Sequence, residues 1–469
     1  MMHVRAITQP LLILWALGLT FPNLALRAED SSAPRQPSFV ILLCDDLGYG
    51  DLGCYGHPHI KSPHLDRLAS TGLLLTDCYS AAPVCSPSRC GLLTGRSPHR
   101  LGIHDWIPPG SPIHLERDEL TIPALLRPHG YKTAIFGKWH ANGLFNNPAQ
   151  PQPGDFGFGT WMATQNNAAP SHLNPVNFVR NGTNMGKLEG HASDIVVDAA
   201  CDWLSKLDAS APFVLFVTFH APHEPVATSP EFTAMYKDVA ANDDEATYFG
   251  NVTQTDAAIG RLLGTLEALN REKETLVFFT SDNGPERLKR YKGSERSYGR
   301  ATPLRGQKLD VYEGGYRVPG ILRYPPLIAP GTVSKAPVCG VDLLPTICEM
   351  AGVDTPADRP LDGASLIPMF KGELIQRPHP LYWRYARATS KPWTVTIREN
   401  DWKLVTDSRF EQTLLFNLAD DKTESLDISE KSPDVTDRLL TEAKRLFVEM
   451  EADAPQWPPG KGVLSETEK

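Results

Sequence analysis

Two polar pairs, Asp45-Asp46 and Asp282-Asn283, each close a short apolar run, and the chain also carries Cys85, Arg89, Lys138, His140, His220 and Lys308. The four oxygen-bearing side chains Asp45, Asp46, Asp282 and Asn283 include no soft donor. Such a set suits a hard cation, Ca²⁺ or Mg²⁺, rather than zinc. A lone Asp-Asp is ordinarily a solvated turn or a helix cap, but a second pair ending another strand changes that reading. Arg89, Lys138, His140, His220 and Lys308 would ring the ion with basic groups. Lys138 and His140 lie two apart at a strand end, so both project to one side. The string Cys85-Ser86-Pro87-Ser88-Arg89 reads as a helix start, with Ser86 as cap and Pro87 at the first helical position. Cys85 then sits in the positive field of a helix N-terminus, beside Arg89 on the first turn.

These residues need elements to bring them together. Four apolar runs of strand length end in chemistry: 39–44 runs into Asp45, 131–136 into Lys138 and His140, 213–219 into His220, and 276–280 into Asp282. Helical periodicity fills 63–72, 119–128, 191–207 and 244–269 between them, and the alternation predicts a mainly parallel α/β sheet. Ligands of open α/β sheets bind outside the carboxyl ends of the strands, where all four clusters fall. The Asn-, Pro- and Gly-rich segment 141–190 reads as loops. After residue 345 the pattern changes to short strands at 381–386, 394–397, 402–406 and 413–416, then an amphipathic helix at 435–450. The tail beyond Pro458 is expected to be disordered.

A chain of 469 residues allows two or three domains, or one large domain with an appendage. The expected division is a signal peptide at 1–28, a catalytic domain at 37–345, a C-terminal α+β subdomain at 346–458 and a tail at 459–469. A formal charge of −9 argues against a nucleic-acid or anionic-membrane partner. It leaves room for an anionic substrate in a local cationic pocket. Arg5 and the apolar run from Leu11 to Leu19 look like a secretory signal, too short to span a bilayer. No cysteine follows that run, so the reading is an exported protein, periplasmic or secreted (lumenal or lysosomal in a eukaryotic host), without a membrane anchor. Eight cysteines are few for a disulfide scaffold, and Cys44 is expected to be a buried thiol.

The string Cys85-Ser86-Pro87-Ser88-Arg89, with Leu93-Thr94-Gly95-Arg96 after it, resembles the signature of the formylglycine-dependent sulfatases, arylsulfatase type, of the alkaline phosphatase superfamily. Further segments resemble motifs of that family in its order, across roughly 37–345. They are Asp45-Asp46-Leu47-Gly48-Tyr49-Gly50-Asp51, Gly137-Lys138-Trp139-His140, His220-Ala221-Pro222-His223 and Pro303 to Lys308 with Tyr312 to Gly320. The chain departs from the family after His140, where Ala-Asn replaces the commoner Leu-Gly. A sulfate-contacting Ser that relatives often carry has no clear counterpart near Asn167.

The resemblance implies an alkaline-phosphatase-like α/β/α sandwich with a smaller C-terminal antiparallel sheet plus helix. It implies that a formylglycine-generating enzyme oxidises Cys85 to 3-oxoalanine. Ca²⁺, or Mg²⁺, would be held by Asp45, Asp46, Asp282, Asn283 and residue 85. The implied reaction is hydrolysis of a sulfate monoester, of a sulfated carbohydrate or small molecule, through a gem-diol nucleophile and a covalent sulfo-enzyme intermediate. Lys138 and Lys308 would hold the sulfate, and Arg89 the gem-diol. His220 or Lys308 would protonate the departing alcohol, and His140 would drive sulfate release. The rival readings are a phosphonate or phosphate diesterase of the same superfamily and, if Cys85 stays unmodified, a non-catalytic sulfated-glycan binder.

Overall fold

The computed structural model describes residues 36–465 and residue 468. The expected signal peptide at 1–28 lies outside the described residues. Eleven strands form one sheet: β1 Ser38–Asp45, β2 Leu73–Tyr79, β3 Lys132–Lys138, β4 Thr160–Thr164, β5 Val179–Arg180, β6 Thr183–Asn184, β7 Phe213–Pro222, β8 Thr275–Ser281, β9 Arg317–Arg323, β10 Thr332–Ser334 and β11 Val338–Cys339. Their order is β10-β2-β9-β8-β1-β7-β3-β4-β5-β6, with β11 also on β2. The central strands β8, β1, β7, β3 and β4 run parallel, while β9 is antiparallel to both β8 and β2.

Every residue of β1 is buried, and its side chains alternate between two cores. Phe39, Ile41 and Leu43 join Leu92 and Leu93 of the helix Cys85–Thr94 and Leu344 and Ile347 of the helix Leu343–Ala351. Val40, Leu42 and Cys44 face Leu65 and Leu68 of the helix Pro63–Ser70, Val196 and Ala200 of the helix Ala192–Ser205, and Ile259 and Leu262 of the helix Asp243–Ala268. Each such buried aliphatic side chain stabilises by about 1.5–3 kcal/mol. The result is an alkaline-phosphatase-like α/β/α sandwich. Because the central strands are parallel, their carboxyl ends gather at one edge.

The C-terminal region forms a four-stranded antiparallel meander, β12 Leu381–Arg384, β13 Trp393–Glu399, β14 Trp402–Asp407 and β15 Thr413–Asn417. The helix Pro433–Asp453 covers one face through Leu439, Ala443, Leu446 and Met450. The other face packs Trp383, Val405 and Phe416 against Tyr79 and Tyr316, and the Tyr316 and Trp383 rings stack at 4.5 Å. An ion cluster seals the join. Lys403 of β14, fully buried, reaches Glu313 at 2.9 Å and Glu424 at 2.6 Å.

Four sequence expectations are corrected. The segment 141–190 is not all loop: β4 extends the main sheet beside β3, because Trp161, Met162 and Ala163 are apolar enough to be buried. The helix expected over 119–128 shrinks to Ile122–Leu126 and a 3-10 turn at Arg127–His129, with Pro128 breaking the α ladder. The tail's residues 459–465 are packed: Leu464 is buried, and Ser111 Oγ donates to the Lys461 carbonyl at 2.6 Å. The fourth concerns the Cys85 helix, which begins at Cys85 itself. Val84 is its N-cap, so Pro87 falls inside the first turn, and Ser86 Oγ accepts from the Ile107 amide at 3.0 Å rather than capping.

All eight cysteines are unpaired, Cys44 among the buried ones. No helix among the described residues is long and apolar enough to cross a membrane. Replacing Lys403 with Ala would strip buried Glu424 of its counter-ion and leave Glu313 with Arg317 alone, at a cost of about 3–5 kcal/mol. Urea unfolding of Lys403→Ala should show a matching drop in midpoint; an unchanged midpoint would dismiss the cluster as a stabilising join.

Candidate active site

The strand ends deliver three carboxylates and three cations to one buried cup. Asp45 ends β1 and Asp46 follows it, and Asp282 and Asn283 follow β8. Lys138 ends β3, Arg89 lies on the first turns of the Cys85 helix, and Lys308 comes from the loop before β9. All seven are almost fully buried. Lys138 Nζ donates to Asp45 Oδ2 at 2.6 Å, and Lys308 Nζ donates to both Asp46 oxygens at 2.6 and 2.8 Å. Arg89 Nε donates to Asp282 Oδ2 at 2.8 Å, and its NH1 donates to the Lys138 carbonyl at 3.0 Å. Asn283 Nδ2 donates to Asp46 Oδ1 at 2.6 Å.

The backbone is strained where these groups are aimed. Asp46 and His140 take left-handed φ of 63° and 56°, uncommon for residues with a side chain. Gly137 has φ of 120°, and a Cβ there would meet the Thr218 carbonyl oxygen at 1.8 Å. Glycine is therefore required immediately before Lys138. Gly95 plays the matching role at the far end of the Cys85 helix, closing it at φ 69° with its amide donating to Gly91.

His140 lines the same cavity, and His220 lies buried within electrostatic reach of Lys138 and Asp45. His140 Nε2 donates to the Ile107 carbonyl at 3.1 Å, leaving Nδ1 buried and without a partner. Thr164 Oγ1 donates to the Asn166 carbonyl at 2.6 Å, so the 2.7 Å contact with His220 Nε2 is donated by the imidazole. His220 Nδ1 is likewise buried and unpaired. Burial first, and then neighbouring positive groups, hold both rings well below the usual imidazole range, so both are neutral. Burial pushes the Cys85 thiol up to about 11, against the pull of Lys138 and Lys308, so an unmodified Cys85 stays protonated at neutral pH.

The donor set fits a hard divalent cation. Asp45 Oδ1 and Asn283 Oδ1 are buried acceptors with no hydrogen-bond partner. Burial, reinforced by the charge of Asp45, raises the Asp282 carboxyl to about 6. Unpaired buried oxygens and crowded carboxylates are the two costs that a cation removes. Every residue named from the sequence, Cys85 and Lys308 included, reaches this region.

Three neighbours were missed. His223, whose Nε2 lies 3.5 Å from Asp46 Oδ2, stood in the His220-Ala221-Pro222-His223 string but was given no role. Thr164 was hidden by reading 141–190 as loop. Glu286, 3.8 Å from Lys308 Nζ, had no sequence signal of its own.

The three-layer fold, with acidic and basic strand ends converging on one edge, defines an alkaline-phosphatase-like hydrolase of oxyanion esters. The profile described as Sulfatase matches residues 37–353, and one described as N-sulphoglucosamine sulphohydrolase, C-terminal, matches 307–449. N-acetylgalactosamine-6-sulfatase of Rattus norvegicus is 34% identical over 400 residues, covering 80% of this chain and 72% of the relative. Arylsulfatase A of Homo sapiens is 34% identical over 373 residues, covering 74% and 70%. Among solved structures, Ps i-CgsB in complex with k-i-k-neocarrahexaose superimposes with a TM-score of 0.78 at 29% identity, covering 90% of this chain and 94% of that one. The chain belongs to the sulfatase family, and it is a sulfuric ester hydrolase.

Calcium should bind one per chain in this cup and raise the melting temperature of the protein. Asp46→Ala should lose both effects, as read by elemental analysis and thermal scanning. Zinc at one per chain, or a melting temperature indifferent to calcium and to chelator, would refute the assignment.

Proposed function

We propose that this sulfatase is exported and formylglycine-dependent, and that it removes sulfate from a sulfated carbohydrate with the help of Ca²⁺. The observation that carries the reading is the convergence of Cys85, three carboxylates, Asn283 and five basic groups in one buried cup at the carboxyl edge of the sheet. The names of N-acetylgalactosamine-6-sulfatase and of the neocarrahexaose complex support a sugar substrate. The basic and apolar N-terminal segment supports export.

Asp45, Asp46, Asp282 and Asn283 would hold the cation, with residue 85 beside them. The cation would draw charge from a sulfate oxygen, and an aldehyde hydrate at position 85 would supply the nucleophile that a protonated thiol cannot. Lys138 and Lys308 donate to the sulfate oxygens and stabilise charge that grows in the transition state. Their pairing with Asp45 and Asp46 keeps both ammonium groups in place before substrate arrives. Arg89, bound to Asp282 and to the Lys138 carbonyl, braces residue 85 and the helix start.

His140 acts as base. Its Nε2 proton is committed to Ile107, so the bare Nδ1 takes the proton that must leave position 85 when sulfate is released. Protonation of the departing alcohol falls to His220 or Lys308. Lys308 carries its proton already, because Asp46 and its other acidic neighbours overcome the penalty of burial. His220 gains one at Nδ1 only as the anionic ester arrives.

Two measurements test this reading. The Cys85 peptide of the active enzyme should be lighter than the thiol form by about 18 Da, and Cys85→Ala should fold but lose more than about 99% of its turnover. An intact thiol in active protein ends the formylglycine reading.

The half-reactions separate through the two histidines. His140→Ala should give a single burst with an activated aryl sulfate and retain about 80 Da. His220→Ala should lose at least about tenfold more rate on sugar sulfates, whose alcohols leave poorly, than on nitrophenyl sulfate. Equal losses on all esters and no retained mass would reverse these roles.

A further inference from the structure

Beyond the cup the cavity widens to about 630 Å³, room for a ring as well as the sulfate it carries. Its outer wall differs from the cup in one respect: its charges are already spent. Asp105 accepts from Arg387 NH1 at 2.9 Å, from the Tyr385 hydroxyl at 2.8 Å and from the Trp106 amide at 2.8 Å. Arg387 also donates through Nε and NH2 to Glu468 at 2.7 and 3.2 Å. Across the opening, Arg290 donates to both oxygens of Glu286 at 2.6 and 2.7 Å. Asp105 and Glu286 line the cavity and Glu468 stands behind Arg387, outside the lining, so these two guanidiniums are engaged by three carboxylates and neither is left over for a second anion.

The wall holds two other kinds of group. Trp106, 42% exposed, lines the cavity with its ring centroid 6.5 Å from that of His140. Asn166 and Asn167 line the cavity with amide oxygens that are buried and have no partner. Their backbone is fixed, since Thr164 Oγ1 donates to the Asn166 carbonyl at 2.6 Å and Asn177 Nδ2 to that of Asn167 at 2.8 Å. An amide oxygen can be satisfied only by a donor. A hydroxyl is a donor; a sulfate or carboxylate oxygen is not.

We propose that this outer wall recognises an uncharged, hydroxyl-bearing pyranose ring that carries a single sulfate, stacked on Trp106 and bonded through its hydroxyls to Asn166 and Asn167. The proposal rests on the reading of the cup as a sulfate site, and adds that a second anion on the same ring is rejected. Rejection follows from the lack of an unengaged guanidinium on the wall and from the extra carboxylate, Glu468, that Arg387 carries behind it. The Trp106 backbone N–H donates to Asp105 Oδ1, so the backbone that carries the platform and the charge pairing are one construction. Asp105, Trp106, Asn166 and Asn167 thereby set specificity, while the cup sets the reaction.

Binding tests this apart from turnover. Calcium-loaded Cys85→Ala protein is titrated calorimetrically with the 6-sulfates of galactose, glucose and N-acetylglucosamine, and with the corresponding disulfates. The best monosulfate should bind at least about tenfold tighter than its disulfate, and adding Trp106→Ala should weaken it at least about tenfold. Adding Glu468→Gln, which removes one surplus charge without touching the platform, should narrow the preference by about threefold or more. A disulfate that binds equally or tighter, a Trp106→Ala protein that binds as before, or no binding by any of these sugars overturns the proposal. Release of sulfate from nitrophenyl sulfate by the unsubstituted enzyme decides the catalytic reading separately.

Discussion

Burying three carboxylates side by side is the constraint around which this structure is arranged. Asp45, Asp46 and Asp282 are removed from water, and each is answered by one cation, Lys138, Lys308 and Arg89 respectively. Breaking any one pair would strand a charge in a low-dielectric interior. The pairing also couples distant parts of the chain, since each partner arrives on a different strand end, helix or loop. Burial would raise the Asp45 carboxyl, but Lys138, His223 and Arg89 hold it well below its usual range. Acid, base and cation donors are thus preset in one place, and an ester need not reorganise them.

Holding that cup open takes strain and cross-bracing. Left-handed turns at Asp46 and His140 follow directly on two parallel strands and aim side chains that a regular strand would send elsewhere. The Ser86–Ile107 bond ties the Cys85 helix to the same loop whose Ile107 carbonyl fixes the His140 tautomer. One short segment, 105–107, therefore carries a platform, a charge pair and an imidazole anchor. The small C-terminal sheet contributes Tyr385 and Arg387 to the cavity wall, which gives its tight junction at Lys403 a bearing on the site.

Much of this was legible in the chain itself. Strands β1, β3, β7 and β8 are apolar on both faces because both are covered by helices, and such runs stand out without any periodicity. Each is followed at once by its polar group, so proximity at the sheet edge could be inferred from parallel topology alone. The short strand β4 escaped because five residues between a Gly-rich turn and the Gln-Asn-Asn that follows look like any loop; its partner β3 makes it a strand. The start of the Cys85 helix was misplaced by two residues, since Ser-Pro is an equally good signal for a cap and for a first turn. The tail looked disordered on composition, and only the surface that residues 461 and 462 meet at Ser111 and Trp106 shows why its described part is packed.

By itself the sequence determined the residue types of the cup, the strands that bear them and the family to which they belong. These are local matters: burial of apolar runs, the hardness of oxygen ligands, the spacing of a motif. Tertiary structure alone decided which cation answers which carboxylate, which nitrogen of His140 and of His220 is left bare, and that the outer wall's guanidiniums are already engaged by carboxylates. Those facts depend on side chains hundreds of residues apart, as with Asp105 and Arg387 or Asp46 and Lys308. No spacing along the chain encodes a contact made across a folded sheet edge.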